Sequence, residues 1–399
     1  VSQGTGRPGA ELAARLLDPS LYETDPHPLY ARLRAEAPLA WNEEKGFWAV
    51  STHPEVMRVA TDTDTFCSSK GILVDEIGVE YAAPPTILHT DPPEHTRYRK
   101  LVMPAFKQTA IKALEARVRS HAKTLVGALE PGRAIDVVPV LSVPFPLQVI
   151  CELLGVDGRD WQRFYEWSEA IVPGATELPA DTKAKLQGEM YAFLVEVAMQ
   201  RRASPTDDVV SALATAEIDG DKLTNDELTM FLVQLLVAGN ETTRNLISGS
   251  LAALSQRPED WSTLRSSPQS IPTAVEELVR WTSPVISFMR TATKDTTLRG
   301  QRIAAGEPVL MLFASANRDE EVFGETASCL MIGRDPNPHL GFGFGAHFCL
   351  GAALARLEAR VVMEELLARF SSIEPGGPVV RGPSPVVAGY RSVPIVFGT

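Results

Sequence analysis

Cys349 lies in the run Phe342-Gly343-Phe344-Gly345-Ala346-His347-Phe348-Cys349-Leu350-Gly351 and stands just ahead of a helical stretch, Ala352 to Phe370. A cysteine so close to a helix start faces unpaired backbone N–H groups and the positive end of the helix dipole. Both favour thiolate over thiol. An anionic sulfur whose electron donation is moderated by N–H groups suits the axial position of a haem iron. Small residues at Gly343, Gly345 and Gly351 would let the backbone approach a flat ligand closely. A buried structural thiol is the commoner fate of a lone cysteine, and local chemistry leaves both possibilities open. A dinucleotide site is a poorer match. Its glycines must follow a strand in a βαβ unit, with an acid about 20 residues later, whereas these follow the coil-like "GRDPNPHL".

Three further constellations are chemically suggestive. Ala238-Gly239-Asn240-Glu241-Thr242-Thr243 interrupts a long apolar run with polar groups. It reads either as a mild helix kink, with threonine bonding back to the i−4 carbonyl, or as a place where protons are handled. His95 and Arg99 are four apart and share one helix face, and Glu277 and Arg280 have the spacing of an internal ion pair.

These groups need elements to hold them. Periodicity predicts helices over much of Glu94 to Leu254, including one over 224–254 that Thr224 and Glu227 open as a capping box. Further helices are expected at 27–38, 271–282 and 352–370. "LAWNEEKGFWAVST" reads as a hairpin, and "TTLRGQRI", "EPVLMLFASA" and "RSVPIVFG" as short strands. Residues 1–25 read as a loosely held arm, and Thr61 to Pro93, with the proline-rich "YAAPPTILHTDPPEH", as irregular chain. The expectation is a mainly α protein with a minor β part, folded as one domain over 1–399.

Bulk composition sets limits. The chain has 399 residues, 44% apolar and 22% charged, with a net charge of −12. That negative field disfavours nucleic acid as a partner. No run is long and apolar enough for a membrane span, and the four scattered cysteines suggest no disulfide framework. A cytoplasmic monomer is expected.

The ten-residue run ending at Gly351 resembles the haem-binding loop of the cytochrome P-450 monooxygenases. Glu277-Leu278-Val279-Arg280 is similar to that family's E-x-x-R helix motif, and Ala238 to Thr243 to its oxygen-activation segment. "HTDPPEHTRYRKLV" and "ANRDEEVF" resemble two more family segments, so the likeness spans nearly the whole chain. Gly341 stands where bacterial members more often have alanine, and Glu241 where many have aspartate.

The resemblance implies a single triangular fold whose long central helix crosses over haem b, with dioxygen as cosubstrate. It implies that Cys349 is the axial ligand and that His95, Arg99, Arg290 and His347 hold the propionates. Phe342, Gly343 and Gly351 would line the haem. Thr242 would assist proton delivery and Glu241 relay protons, while Gly239 and Ala238 leave room for dioxygen. Glu277 and Arg280, with Arg334 nearby, would lock the cysteine side. Substrate contacts would come from Lys70, Val233, Gln234, Val237, Ala238, Ile286 and Phe288.

Electrons would come from a separate ferredoxin and an NAD(P)H-dependent ferredoxin reductase, docking on a patch drawn from Arg97, Lys100, Lys107 and Lys112. A small hydrophobic substrate is implied. "TFCSSKG" and "SPVISFMRTAT" are similar to a subgroup that oxidises para-substituted benzoic acids, often by O-demethylation. That subgroup has arginine at Lys70 and differs at Val233 and Gln234, so a terpenoid, fatty acid or natural-product intermediate stands as the alternative. A non-catalytic haem sensor or carrier would not need Glu241 and Thr242, and a peroxide-driven enzyme usually lacks that pair.

Overall fold

The computed structural model describes residues 7–79, 85–171 and 178–399. The Tyr81–Pro84 part of the proline-rich segment and residues 1–6 of the expected arm lie outside the described residues.

The predicted long helix forms as Asn225–Ser255, 31 residues and about 46 Å at 1.5 Å per residue. Its capping box is present. Thr224 Oγ1 accepts from the Glu227 N–H at 3.1 Å, and Glu227 Oε2 accepts from the Thr224 N–H at 2.7 Å. Most of its side chains are buried beyond the first turn, because four other helices wrap it: Pro144–Leu154, Ala180–Ala203, Ile271–Thr282 and Ala352–Arg369. The last two match their predicted bounds to within a residue.

The β part sits to one side. A five-stranded sheet runs in the order Leu39–Asn42, Phe47–Val50, Pro308–Leu312, Ser287–Ala292, Phe66–Cys67. The predicted hairpin supplies its first two strands, and only the 47–50/308–312 pair is parallel. A smaller sheet joins Ser372–Pro375, Pro394–Gly398 and Ala134–Asp136. The predicted strand over 307–316 stops at Leu312, and Phe313–Ala316 turns helical. The turn carries Asn317 out of the sheet, its N–H donating to the Phe313 carbonyl at 2.9 Å.

The arm departs from expectation. From Arg7 onward it is docked, not loose. Short helices Ala10–Ala14 and Pro19–Glu23, with the turn Arg15–Leu17 between them, bury Leu12, Ala13, Leu16, Leu21 and Tyr22 against Ala40, Phe47 and Leu310. Arg7 lies 3.7 Å over the Trp41 ring and pairs with Glu307 at 2.7 Å. Its apolar side chains, too few to look like a core in sequence, find one on the sheet.

The strongest internal clamp is Glu277–Arg280, both fully buried. Arg280 Nε and Nη2 donate to the carboxylate at 2.7 Å each. Its other N–H groups reach the carbonyls of Asn317, Ala327 and Cys329 at 2.7, 2.9 and 2.7 Å. All five donors are used. Glu277 also accepts from Arg334 Nε at 3.0 Å, Asn337 Nδ2 at 3.2 Å and the Met331 N–H at 2.8 Å. Arg280→Ala would strip this buried carboxylate of its bidentate partner, leaving Arg334 as its remaining ion pair among the described residues and orphaning three carbonyls, and should destabilise the protein by about 3–5 kcal/mol. Urea unfolding checks it; a loss within about 1 kcal/mol, the ordinary size for any substitution, would show the clamp to be dispensable.

Candidate active site at the cysteine loop

The loop around Cys349 is tied at both ends. The Cys349 N–H donates to the Phe342 carbonyl at 2.9 Å, and the Gly343 N–H to the Leu340 carbonyl at 2.9 Å. Leu340 in turn donates its N–H to Asn317 Oδ1 at 2.6 Å. Asn317 therefore links Arg280, through its carbonyl, to the start of the loop, through its side chain. Sequence reasoning quoted the segment but did not single out this residue.

A second clamp was also missed. Glu276 accepts from Arg356 Nε and Nη2 at 2.6 and 2.7 Å, and pairs with His339 Nε2 at 3.1 Å. It joins the 271–282 helix to the helix that follows Cys349. The only sequence signal was a carboxylate beside Glu277.

Two of the glycines answer to protein packing. Gly345 has φ +73°, and a Cβ there would lie 2.8 Å from the Ala60 carbonyl oxygen. A Cβ on Gly341 would lie 2.5 Å from Val279 Cγ1 on the buried E-x-x-R helix, so alanine would force a shift. Gly343 has φ +65° and nothing closer than 3.9 Å to its Cβ direction, which leaves its face open.

At Cys349 the Gly351 backbone N–H is directed at the sulfur, and Arg99 and Arg356 also favour the anion. Burial outweighs them and pushes the thiol up. The helix start alone therefore does not make a thiolate; a cation bonded to sulfur would. Among the described residues no three His, Cys, Asp or Glu side chains converge as a metal-ion site.

Around the loop the structure gathers the four predicted propionate partners, His95, Arg99, Arg290 and His347. His95 and His347 stack with ring centroids 4.1 Å apart, and His347 Nε2 lies 3.1 Å from Ser68 Oγ. Burial, then Arg99, holds His95 down to about 4; burial, then Arg290 and His95, holds His347 at about 2. The Arg290 guanidinium is 6% exposed and donates only to the Met289 carbonyl, at 2.6 Å. Burial lowers it to about 10. Among the described residues neither Arg99 nor Arg290 forms an ion pair with a carboxylate. One buried and one half-buried guanidinium without an acid partner are suited to a ligand that brings its own anions. The donor set fits haem: one sulfur with an N–H aimed at it, and cations for two propionates.

On the long helix, Gln234, Val237, Ala238 and Thr242 form a less buried stripe at i, i+3, i+4 and i+8, and Ala238 is exposed between half-buried Val237 and Gly239. Thr242 Oγ1 donates to the Ala238 carbonyl at 2.6 Å, the i−4 bond expected of a polar break. Gly239 does not face this stripe. Its Cβ direction meets Ile150 Cδ1 at 3.3 Å, so close packing on the 144–154 helix accounts for it, not room for dioxygen. Glu241 is 3% exposed; burial raises its carboxyl against Arg244.

The remaining predicted contacts divide. Val233 packs against the main core, and Ile286, 4% exposed, joins the sheet cluster with Leu310 and Leu312. Neither borders open space through those contacts. Phe288 is half-buried, edge-on to Phe313 at 6.3 Å. Lys70 is exposed, with no ion pair among the described residues, in a turn that Asp91 holds by accepting from the Ser68 and Ser69 N–H groups at 2.7 and 3.1 Å. Arg97 leaves the proposed docking patch: it is bound to Asp221 and Glu227. Lys100, Lys107 and Lys112 are exposed.

Glu276 gives a pH test. Against the upward push of burial, Arg356 and His339 hold it down to about 2, from an ordinary 4.5. Its folded pKa is depressed, so its stabilisation is present above about 4.5 and is lost as pH falls toward about 2. Discounted for its partly open position, Glu276→Gln should cost about 1–2 kcal/mol near neutrality. The difference from the parent should vanish by about pH 2 to 3. A pH-independent gap in chemical denaturation would contradict this.

Comparison with known proteins agrees with the geometry. The cytochrome P450 family profile matches residues 271–385. Linalool 8-monooxygenase from Pseudomonas putida is 39% identical over 377 residues, covering 90% of this chain and 92% of that protein. The structure of cytochrome P450 CYP109Q5 from Chondromyces apiculatus superposes with a TM-score of 0.88 at 35% identity, over 96% of this chain and 98% of that one. Cytochrome P450 CYP268A2 from Mycobacterium marinum, in complex with pseudoionone, gives 0.87 at 35%, over 95% and 97%. Among the described residues no helix is long and apolar enough to cross a membrane. The helical fold, its long central helix and these matches agree: the chain belongs to the cytochrome P450 family, haem-thiolate monooxygenases that act on hydrophobic substrates.

Proposed function

We propose that Cys349 is the axial thiolate of haem b, and that the whole chain, 1–399, acts as one catalytic domain hydroxylating an acyclic terpenoid or similar branched apolar substrate. The observation that carries the reading is Cys349 with the Gly351 N–H aimed at its sulfur, with half-buried Arg99 beside it and buried Arg290 beside His347. Bound there, haem would supply dioxygen activation, which thiolate electron donation favours. His95, Arg99, Arg290 and His347 would hold the propionates, and Phe342, Gly343 and Gly351 would lie against the ring. Ala238 keeps a small surface beside Thr242, leaving space for dioxygen. The Thr242 hydroxyl donates to a carbonyl and keeps its lone pairs free to accept a proton-carrying water. Glu241 would relay protons, and Glu277 with Arg280 would stay structural. Electrons would arrive from a separate ferredoxin and its NAD(P)H-dependent reductase, with Lys100, Lys107 and Lys112 as docking contacts.

The first test is optical. The reduced protein with carbon monoxide should give a thiolate-type spectrum, and Cys349→Ser should abolish it. The same spectrum in the serine variant would end the assignment.

Two similar proteins point to the substrate class: one is named for linalool and one is bound to pseudoionone, both acyclic terpenoids. Gln234, Val237, Ala238 and Phe288 would give such a substrate a mostly apolar wall with one polar group. A para-substituted benzoate is the second reading, because Lys70 is exposed and without an ion pair among the described residues. It would meet a carboxylate as a point charge, without arginine's fork. A Soret-shift titration of the parent and Lys70→Met separates the two. Linalool and pseudoionone should bind both proteins alike. Benzoates that bind the parent about 10-fold or more tighter than the variant would instead mark a charge-assisted contact and favour the acid.

A further inference from the structure

Glu241 is held on one oxygen only. Arg244 Nη2 and Asn245 Nδ2, the latter at 3.1 Å, both donate to Glu241 Oε1. Oε2 is buried and has no partner. The Arg244 guanidinium is itself divided: Nη1 donates to Glu169 Oε1 at 3.0 Å. All three side chains are at least nine-tenths buried. Glu169 ends the helix Trp161–Glu169, whose Ser168 Oγ accepts from Asn240 Nδ2 at 2.8 Å. Two adjacent cross-links thus pin the end of this helix to the polar segment of the long helix.

We propose that Glu169, acting through Arg244, is a positioning residue for Glu241: it turns Glu241 so that Oε1 is anchored and Oε2 is left to exchange protons. The proposal rests on Glu241 being the relay. In each cycle Glu241 gives up a proton from Oε2 and recovers one from solvent; Glu169 and Arg244 keep their charges throughout. Two carboxylates sharing one guanidinium leave a buried net negative charge. Glu169 therefore opposes ionisation of Glu241 and keeps a proton available for donation. Among the described residues Tyr165 also faces the trio; its ring lies 6.0 Å from the Arg244 guanidinium, and burial, then Glu169, keeps it protonated. The 161–169 helix thereby controls the relay. Were its end to lift from the long helix, Arg244 would turn wholly to Glu241 and favour its ionised form, leaving no proton to give.

The experiment is an infrared pH titration of the haem-loaded protein, following the carboxyl band that disappears in Glu241→Gln. In Glu169→Gln the band should titrate at lower pH by about half a unit or more, because a like charge has been removed. Glu169→Asp keeps the charge and should restore the parent titration. Should the glutamine variant not fold, Glu169→Ala is the second neutral variant, with the same expected shift. An unmoved band in the neutral variants overturns the proposal and leaves the relay intact. Hydrogen peroxide released per NADPH, with linalool and a plant-type ferredoxin and reductase, should rise in Glu241→Gln. An equal yield in Glu241→Gln and the parent would overturn the relay, and the proposal with it.

Discussion

The Glu277–Arg280 pair is the constraint on which the cysteine side depends. Two ions taken fully out of water repay their desolvation only when every remaining donor and acceptor is matched. Here the matching reaches well beyond the pair. Arg280 collects carbonyls from three points between Asn317 and Cys329, and Glu277 collects Arg334, Asn337 and the Met331 N–H. A stretch whose own structure is little more than the single turns Glu320–Phe323 and Gly324–Thr326 is thereby given a fixed path. Because Asn317 passes that order on to Leu340, the ion pair sets where the cysteine loop begins.

The loop's other end is set by the helix it feeds. Arg356, about one turn into that helix, is bidentate to Glu276, the residue before Glu277. Consecutive acids on one helix thus hold the two flanks of Cys349, one buried in the core and one partly open. Positioning the sulfur is a matter of covalent reach between two anchored points, with glycines where the chain must run against Val279 and Ala60.

Much of this was legible, and the boundary is physical. The long helix, its capping box, the 271–282 helix and the Glu277–Arg280 pair are local patterns, set by spacings of three and four, and they form as the sequence says. Cys349 and the four predicted propionate partners were reachable only because a long, specific motif stood around them. What stayed hidden has long sequence separation: Asn317 to Leu340, Glu276 to Arg356, Arg244 to Glu169. Each is a common surface-type residue that becomes special through a partner dozens of positions away. Arg97 errs the other way, a presumed free surface cation that two acids hold. Gly239 shows a subtler limit. Its neighbourhood in sequence is the reactive segment, yet the hundred-degree step between helix residues turns it onto a different face.

The two sides of the site treat charge oppositely, and this explains how an acidic chain can hold an anionic cofactor. Beside Cys349, burial and the neighbouring guanidiniums keep His95 and His347 neutral near pH 7, so Arg99 and Arg290 carry the positive charge. Without acids of their own, these guanidiniums are an unfavourable feature of the protein taken alone, and anion binding there would return the lost stabilisation. A ligand that binds only the folded state stabilises it by mass action, so on the proposed assignment haem affinity and folding stability would be linked through the same two arginines. On the long helix the excess is negative instead, two carboxylates about one guanidinium. A proton is thus easier to keep where it must be donated, and a negative charge easier to keep where the cofactor must be held.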